Sequence, residues 1–119
     1  MSYNRKFNIV LLNLYCYAVE ESGFDDVFLK FNKKKIWPVD KCQIPVREST
    51  ITPLDVEIVS IEPGENIEVE VWDFDYLSPN DLLGTFHIKA DAGGPYSTDM
   101  IQNTAETTKA KYTLEWEVI

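Results

Sequence analysis

Three aspartates, Asp73, Asp75 and Asp81, follow an apolar strand-like run in the segment VWDFDYLSPNDLLG. In an extended chain, residues two apart point the same way, so Asp73 and Asp75 emerge on one side. Residues 76–80 are long enough to fold back and bring Asp81 beside them. Two carboxylates about 4 Å apart repel each other by about 1–4 kcal/mol. Such a cluster therefore binds a hard cation, shares a proton in acid–base chemistry, or is a set of ordinary turn residues held apart.

Among hard cations, calcium suits this segment best, because it accepts about six to eight oxygen ligands in relaxed geometry, whereas magnesium requires a stricter octahedron. The spacing is not that of an EF-hand. An EF-hand loop that began at Asp73 would need Asp or Asn at Leu77, Gly at Ser78 and Glu at Gly84, between helices. The segment therefore predicts a cation site of another type, positioned by strands.

The elements around the aspartates have the alternation of strands: Ile67, Val69 and Val71 alternate with glutamates. Strands are predicted at residues 7–18, 27–31, 34–37, 56–61, 67–72, 83–89 and 111–118, and the first is predicted to be central or to carry a bulge. Residues 96–108 are predicted as a long loop or a turn of helix. Seven or eight strands separated by turn residues indicate one all-β domain over residues 1–119, an antiparallel sandwich or barrel.

The segment VWDFDYLSPNDLLGTFHI resembles the third calcium-binding loop of C2 domains, as in synaptotagmins and conventional protein kinase C. The family pattern is a strand, D-x-D, about five residues, then D, two apolar residues and G. Here Asp73, Asp75, Asp81 and Gly84 take those positions. The resemblance implies an eight-stranded antiparallel Greek-key β-sandwich. The ending KYTLEWEV resembles the strand that some C2 domains carry at the front, which implies the permuted topology of phospholipase C-type members.

The first calcium-binding loop of the family is matched less closely, by EESGFDDVFLK. Glu20 stands at its first aspartate, Asp26 at its second and Lys30 at its lysine. Glutamate in place of aspartate, and Val27 in place of proline, are departures from the family pattern. The family's T-L-N-P-x-W-N-E signature is absent, and residues 38–53 do not align.

Position by position, the resemblance implies a Ca²⁺ site formed from both loops. Its side-chain ligands would be Glu20, Asp26, Asp73, Asp75 and Asp81, with the carbonyls of Glu21 and Phe74 and the Ser78 hydroxyl as weaker candidates. The alternative is that the fold is kept and the ions are lost, as in many C2-like domains.

Two further surfaces follow from the same resemblance. Phe24, Tyr76 and Leu77 stand at the predicted loop tips, where they would insert into a membrane or, alternatively, pack the two loops together. Basic residues near the following hairpin, Lys30, Lys33, Lys34 and Lys35, would bind phosphoinositide head groups. The alternative for these lysines is a solvated turn or a protected edge strand.

The charge distribution excludes nucleic acid as a partner. The net charge is −9, and residues 51–119 hold 14 acidic side chains against 3 basic ones. The two cysteines, Cys16 and Cys42, are predicted to be small buried hydrophobes, and the apolar run at residues 9–12 is interpreted as a strand and not a signal peptide, which favours the cytoplasm, including a membrane periphery. His87 has no recognisable nucleophile to serve, so the protein is not predicted to be an enzyme.

The sequence therefore predicts a calcium-binding C2-like module that docks to an anionic phospholipid membrane in a calcium-dependent way. The alternative is a C2-like adaptor that binds a protein partner, either stabilised by calcium or independent of it, without membrane binding. The oligomeric state is left open by the sequence.

The assigned roles predict an order of effects on calcium affinity. Asp73→Asn and Asp75→Asn should weaken binding far more than Asp26→Asn, because the first two aspartates define the better-matched loop. Calorimetric titration with calcium measures all three affinities, and equal small effects would contradict the assignment.

Overall fold

The chain folds into ten β-strands within residues 5–105 and 108–119, the parts that a computed structural model describes. They are β1 (Phe7–Ala18), β2 (Phe24–Phe31), β3 (Lys34–Trp37), β4 (Ile44–Arg47), β5 (Thr50–Ile61), β6 (Asn66–Asp73), β7 (Asp81–Lys89), β8 (Tyr96–Asp99), β9 (Ile101–Gln102) and β10 (Lys111–Val118). These described ranges contain no helix, and hence none long and apolar enough to cross a bilayer. The predicted all-β class is confirmed.

The strands form two antiparallel sheets with a common apolar core. One sheet has the order β5-β1-β10-β8, and the other has the order β3-β2-β6-β7-β9, with β4 paired to β2. The alternation predicted for β6 decides which face is inside: Ile67, Val69 and Val71 are at most 4% exposed, while Glu68 between them is exposed. Period-two patterning of this kind buries one face of each sheet against the other.

The central position predicted for β1 is confirmed, because β5 pairs with one of its edges and β10 with the other. Both pairings shift register between Leu11 and Asn13, which is the bulge that apolar residues on both faces had indicated. The last strand, β10, therefore lies beside the first, from the pair Ile9–Val118 to the pair Ala18–Lys111. This is the position that a permuted C2 topology requires.

The prediction of eight strands was wrong, since ten are present in the described residues. The added strands are short: β4 has four residues, and β8 and β9 have four and two within the predicted loop at 96–108. Segments of two to four residues are too short to display a period, so only pairing with a neighbouring strand defines them. Residues 106 and 107 of that predicted loop lie outside the described residues.

The fifth strand begins at Thr50, six positions before the predicted start at residue 56. Pro53 argues against a strand in the sequence, but β5 is an edge strand, where proline is tolerated. Asp55 and Ser60 have positive φ angles of 52° and 61°, and these local distortions interrupt the simple alternation.

The two cysteines differ in environment, so the prediction that both are buried was half wrong. Cys16 lies in the core at 2% exposure, whereas Cys42 is exposed. Cys16 lies two positions after the inward residue Leu14 on a long strand, so it faces the same side. Cys42 lies in the segment between β3 and β4, for which the sequence predicted no structure.

One end of the sandwich brings together the turns that the sequence had singled out. Residues 19–23, the 19–23 loop, join β1 to β2, and residues 74–80, the 74–80 loop, join β6 to β7. Because β2 and β6 are antiparallel neighbours, with Val27 opposite Asp73, the start of one strand lies beside the end of the other. Both loops therefore project from the same end.

The backbone of β9 packs closely against β7 at Gly84. A Cβ atom on Gly84 would lie 2.4 Å from the Ile101 carbonyl oxygen and 2.7 Å from Met100 Cγ. The backbone oxygen cannot move without displacing β9, so the close approach requires glycine, although the φ angle does not.

We predict that Gly84→Ala lowers the free energy of unfolding by about 1–3 kcal/mol, the usual cost of overpacking a filled core. Chemical denaturation followed by tryptophan fluorescence measures this, with the exposed Ser97→Ala on β8 as the control. A loss below about 0.5 kcal/mol, the range of ordinary surface substitutions, would contradict the close approach.

Candidate functional site

Backbone hydrogen bonds join the two loops at their bases. The Asp26 N–H donates to Asp73 Oδ1 over 2.8 Å, and the Phe74 N–H donates to the Asp26 carbonyl oxygen over 2.8 Å. The carboxylates that this junction gathers at one end are called the acidic pole. They are Glu20, Glu21, Asp25, Asp26, Asp73, Asp75 and Asp81.

Asp73 lies at the centre of the acidic pole and is 2% exposed. Burial raises its pKa from the ordinary 3.8 to about 7, against the Asp26 N–H, which lowers it; the charges of Glu21 and Asp25 raise it further. The Glu21 carboxyl is within hydrogen-bonding reach of Asp73, and this contact also raises the pKa of Asp73. Asp73 is therefore a buried acid that lacks a compensating positive charge.

Basic side chains do not relieve this charge in the described part of the chain. The ion pairs found there are Lys6 with Glu62, and His87 with Glu68, and neither involves the acidic pole. His87 is half-exposed in that second pair, on the outer side of β7. The negative charge at the pole is therefore balanced mainly by hydrogen bonds, and the charge of Lys109 also lowers the pKa of Glu20.

Asp75 and Ser78 interact with each other inside the 74–80 loop. The Asp75 carboxylate accepts hydrogen bonds from the Ser78 hydroxyl at 2.6 Å and from the Leu77 N–H at 2.9 Å, and the bond from Ser78 in particular lowers its pKa. The Asp75 N–H in turn donates to Asn80 Oδ1 at 2.9 Å. These bonds are those of an Asx-type turn, which shapes the loop but keeps Asp75 facing its own turn.

Glu20 turns away from Asp73 and towards the segment before β10. Its carboxylate accepts a hydrogen bond from the Lys109 N–H. Burial alone would raise the pKa of Glu20, but hydrogen bonds from Thr108, Lys109 and Ala110 outweigh it and lower the pKa. The sequence could not predict this contact, because residues 96–108 had been assigned to a loop of undefined path.

The remaining predicted ligands lie at the base of the 74–80 loop. Asp81 begins β7 directly opposite Asp73, and it is half-buried. The ring of Phe74 packs edge-on against that of Tyr76, with centroids 4.8 Å apart. The structure thus places Glu21, Asp26 and Asp81 each beside Asp73, while Glu20 and Asp75 bind groups elsewhere.

Asp25, which the sequence analysis did not select, is the most buried acid of the pole at 0% exposure. Its carboxylate accepts hydrogen bonds from the Glu20 N–H, the Glu21 N–H and the Tyr112 hydroxyl. A signal for this existed in the sequence. Along β2, Asp25 lies on the same face as Val27 and Leu29, which both point inward, whereas Asp26 lies on the opposite face.

The donor chemistry of the pole fits a hard cation, since carboxylate oxygens are the ligands that calcium prefers. The best-placed pair is Asp73 with Glu21, because the two carboxyl groups are within hydrogen-bonding reach of each other. Within residues 5–105 and 108–119, however, no three Asp, Glu, His or Cys side chains converge closely enough to hold a metal ion. Glu20 and Asp75 would have to release their present hydrogen bonds to become ligands.

The three predicted membrane-contacting side chains differ in exposure. Leu77 is 98% exposed at the tip of the 74–80 loop and Tyr76 is 74% exposed. The Tyr76 hydroxyl accepts a hydrogen bond from Gln43 Nε2 at 2.6 Å. Phe24 is 37% exposed, and the Arg47 guanidinium lies 5.4 Å from its ring centroid. Leu77 is therefore the apolar tip, while Tyr76 and Phe24 have partners within the fold.

The four predicted phosphoinositide-binding lysines also divide into two kinds. The Lys30 ammonium lies over the outer face of the second sheet, 4.6 Å from the ring centroid of Trp72 and 5.9 Å from that of Phe28. The other three, Lys33, Lys34 and Lys35, are exposed in the hairpin between β2 and β3, and Lys35 Nζ donates to the Lys41 carbonyl oxygen. Asn32 and Lys33 have positive φ angles, as a tight hairpin turn requires.

The buried Asp73 predicts a pH dependence of stability in calcium-free buffer. Because its pKa is raised in the fold, its contribution to stability is full below about pH 4 and is lost as the pH rises through 7. Asp73→Asn removes this loss, so the variant should gain stability relative to the wild type between pH 5 and pH 8, by at most about 3 kcal/mol.

Urea denaturation in EDTA at the two pH values measures the difference. Asp75→Asn is the matched control, because a lowered pKa gives a contribution that is constant above the ordinary value. An Asp73→Asn effect that is equal at both pH values would contradict the burial of a charged carboxylate.

Comparison with known proteins places this fold. No family model and no curated protein matches the sequence. Among solved structures, the first C2 domain (domain A) of a plant extended synaptotagmin 1 superposes with a TM-score of 0.55 at 11% identity, over 98% of this chain and 96% of that one. The likeness is one of structure and concerns the fold. The chain is a C2-like β-sandwich.

Proposed function

We propose that this protein is a calcium-dependent, phospholipid-binding C2-type module that docks through its acidic pole. One observation carries the proposal: Leu77, an apolar side chain with 98% exposure, projects from the same loop whose base contains the buried, uncompensated Asp73. Its neighbour Tyr76 is 74% exposed, so the tip presents two large side chains beside the carboxylates. Once a cation neutralises the charge, a partner surface would bury this tip.

The acidic pole is negatively charged unless a cation binds there. Carboxylates at the end of the sandwich repel an anionic membrane, and a bound divalent cation reverses the local field. Asp73 and Glu21 would hold the ion, with Asp26 and Asp81 beside them. Calcium would supply the positive charge that these acids lack, and Asp75 and Glu20 would join only by exchanging their present hydrogen bonds.

The apolar contribution comes from the tip of the 74–80 loop. Complete burial of a leucine side chain is worth about 1.5–3 kcal/mol, which corresponds to about 10- to 100-fold in affinity. Tyr76 adds an amphipathic ring at the level of the head groups. Phe24 contributes less, because Arg47 already covers one face of its ring.

The lysines at the β2–β3 hairpin lie at the far end of β2 from the acidic pole. Eight residues at about 3.3 Å each separate the ends of β2 by roughly 25 Å, which exceeds the Debye length of about 8 Å. Contact of these lysines with phosphoinositides therefore requires the sandwich to lie on its side. Insertion of the loop tip is the primary interaction, and the lysines strengthen it only in that tilted orientation.

The second candidate function is a calcium-independent adaptor that binds a protein partner. It is favoured by one finding, that no three metal-ligating side chains converge in the described residues. In that case Leu77 would be covered by a protein. The cytoplasmic or membrane-peripheral location remains a prediction under both functions.

Co-sedimentation with vesicles of phosphatidylserine and phosphatidylcholine tests the proposal. With calcium, the protein should pellet with the vesicles, and EDTA should release it. Leu77→Ser should weaken vesicle binding by about 10- to 100-fold without changing calcium affinity, because the hydroxyl removes only the apolar contact. Val59→Ser, at an exposed position on the edge strand β5, is the matched control.

Other outcomes assign the function differently. Equal pelleting in EDTA would remove calcium from the proposal. A calcium-induced rise in melting temperature without vesicle binding would favour the adaptor, since the ion would then only stabilise the fold.

A further inference from the structure

We infer that Asp25 is a positioning residue: it fixes the backbone of the 19–23 loop at the acidic pole, and Tyr112 of the opposite sheet supports it. The inference deepens the proposed function where it concerns calcium affinity. The fixing of the loop itself depends only on the contacts of Asp25.

The contacts of Asp25 occupy both of its carboxylate oxygens. Oδ1 accepts from the Glu20 N–H at 3.0 Å and from the Glu21 N–H at 3.1 Å. Oδ2 accepts from the Glu20 N–H at 3.1 Å and from the Tyr112 hydroxyl at 2.6 Å. Three donors therefore hold the carboxyl group, because the Glu20 N–H is shared between the two oxygens. A fully buried carboxyl group with donors on both oxygens is held in place, unlike Asp73.

Tyr112 provides the fixed end of this arrangement. It lies on β10, inside the four-stranded sheet, and is 2% exposed. Burial, followed by the hydrogen bond to Asp25, raises the pKa of Tyr112 well above its ordinary value, so its hydroxyl remains a donor. The 2.6 Å distance is typical of a hydroxyl that donates to a charged carboxylate. A strand of the four-stranded sheet thereby holds the Asp25 side chain, which belongs to β2 of the other sheet.

Asp25 is therefore not a ligand in the proposed site, although it is the nearest neighbour of Asp26 in the chain. Its oxygens face the loop backbone and the core, so it acts on an ion only through the two residues whose amides it holds. One of these is Glu21, whose carboxyl pairs with Asp73. Release of Asp25 from Tyr112 should loosen the loop and separate Glu21 from Asp73.

Amide hydrogen exchange followed by NMR in EDTA tests the positioning role without any ligand. In the wild type, the amides of Glu20 and Glu21 should be protected, while those of Ser22 and Gly23, in the same exposed loop, should exchange rapidly. Tyr112→Phe should speed exchange at Glu20 and Glu21 by at least about tenfold.

The controls separate loosening of the loop from general destabilisation. Tyr17→Phe removes a hydroxyl from an exposed position of the same sheet and should leave the loop amides unchanged. In Tyr112→Phe, the core amides of Phe86 and Ile88 on β7 report global opening. A uniform increase at all these amides, or none at Glu20 and Glu21, would overturn the inference.

Two further measurements keep the inference testable if Tyr112→Phe folds poorly. If the amides of Glu20 and Glu21 in the wild type exchange as fast as the amide of Ser22, the inference is overturned directly. Asp25→Asn keeps the shape of the side chain but removes an acceptor oxygen, so it should also speed exchange selectively at Glu20 and Glu21. Unchanged exchange at these two amides in Asp25→Asn would contradict the positioning role.

The calcium titration separates this inference from the proposed function. Tyr112→Phe should weaken calcium binding by about tenfold at unchanged stoichiometry, because the loop must be ordered again on binding. If the wild type binds no calcium, the proposed function fails while the exchange result still decides the role of Asp25. If the wild type binds and Tyr112→Phe binds equally well, the coupling of Asp25 to the ion is refuted.

Discussion

The burial of Asp73 at the junction of β2 and β6 is the constraint on which the acidic pole depends. A carboxylate removed from water loses several kcal/mol of hydration unless protons, hydrogen bonds or cations replace the solvent. The Asp26 N–H replaces part of it, and protonation of Asp73, whose pKa is raised to about 7, removes the charge as the pH falls. The same junction holds both loops at one end, so the residue that is costly to bury is also the one that connects them.

Two neighbouring buried carboxyl groups, Asp25 and Asp73, differ in the number of hydrogen-bond donors around them. Asp25 has donors for both oxygens and is suited to hold a loop in place. Asp73 has one backbone donor and two acidic neighbours, so it is suited to accept a proton or a cation. Their division of roles comes from the direction in which each side chain points and not from their chemistry, which is the same.

The exposed tip of the 74–80 loop completes this arrangement. Asp75, with Ser78 and the Leu77 N–H, folds the loop back on itself, and that turn leaves the Leu77 side chain outside. Tyr76 is instead held by Gln43 and Phe74. The same turn therefore fixes the path of the 74–80 loop through Asp75 and leaves Leu77 exposed for contact with a partner.

The sequence by itself determined the all-β class, the central first strand, the C2-like resemblance and the segment of Asp73, because period-two alternation and local spacing are properties of neighbouring residues. It did not determine the short strands β4, β8 and β9, which exist only through pairing. Nor did it decide that Asp25 would be buried while Asp26 offers its backbone, that Glu20 would turn to Lys109, or that Asp75 would bind within its own loop. The contacts of Asp75 are local and depend on the path of the 74–80 loop. Tyr112 and Lys109 lie 87 and 89 positions from Asp25 and Glu20, and only the packing of the two sheets brings such groups within hydrogen-bonding distance.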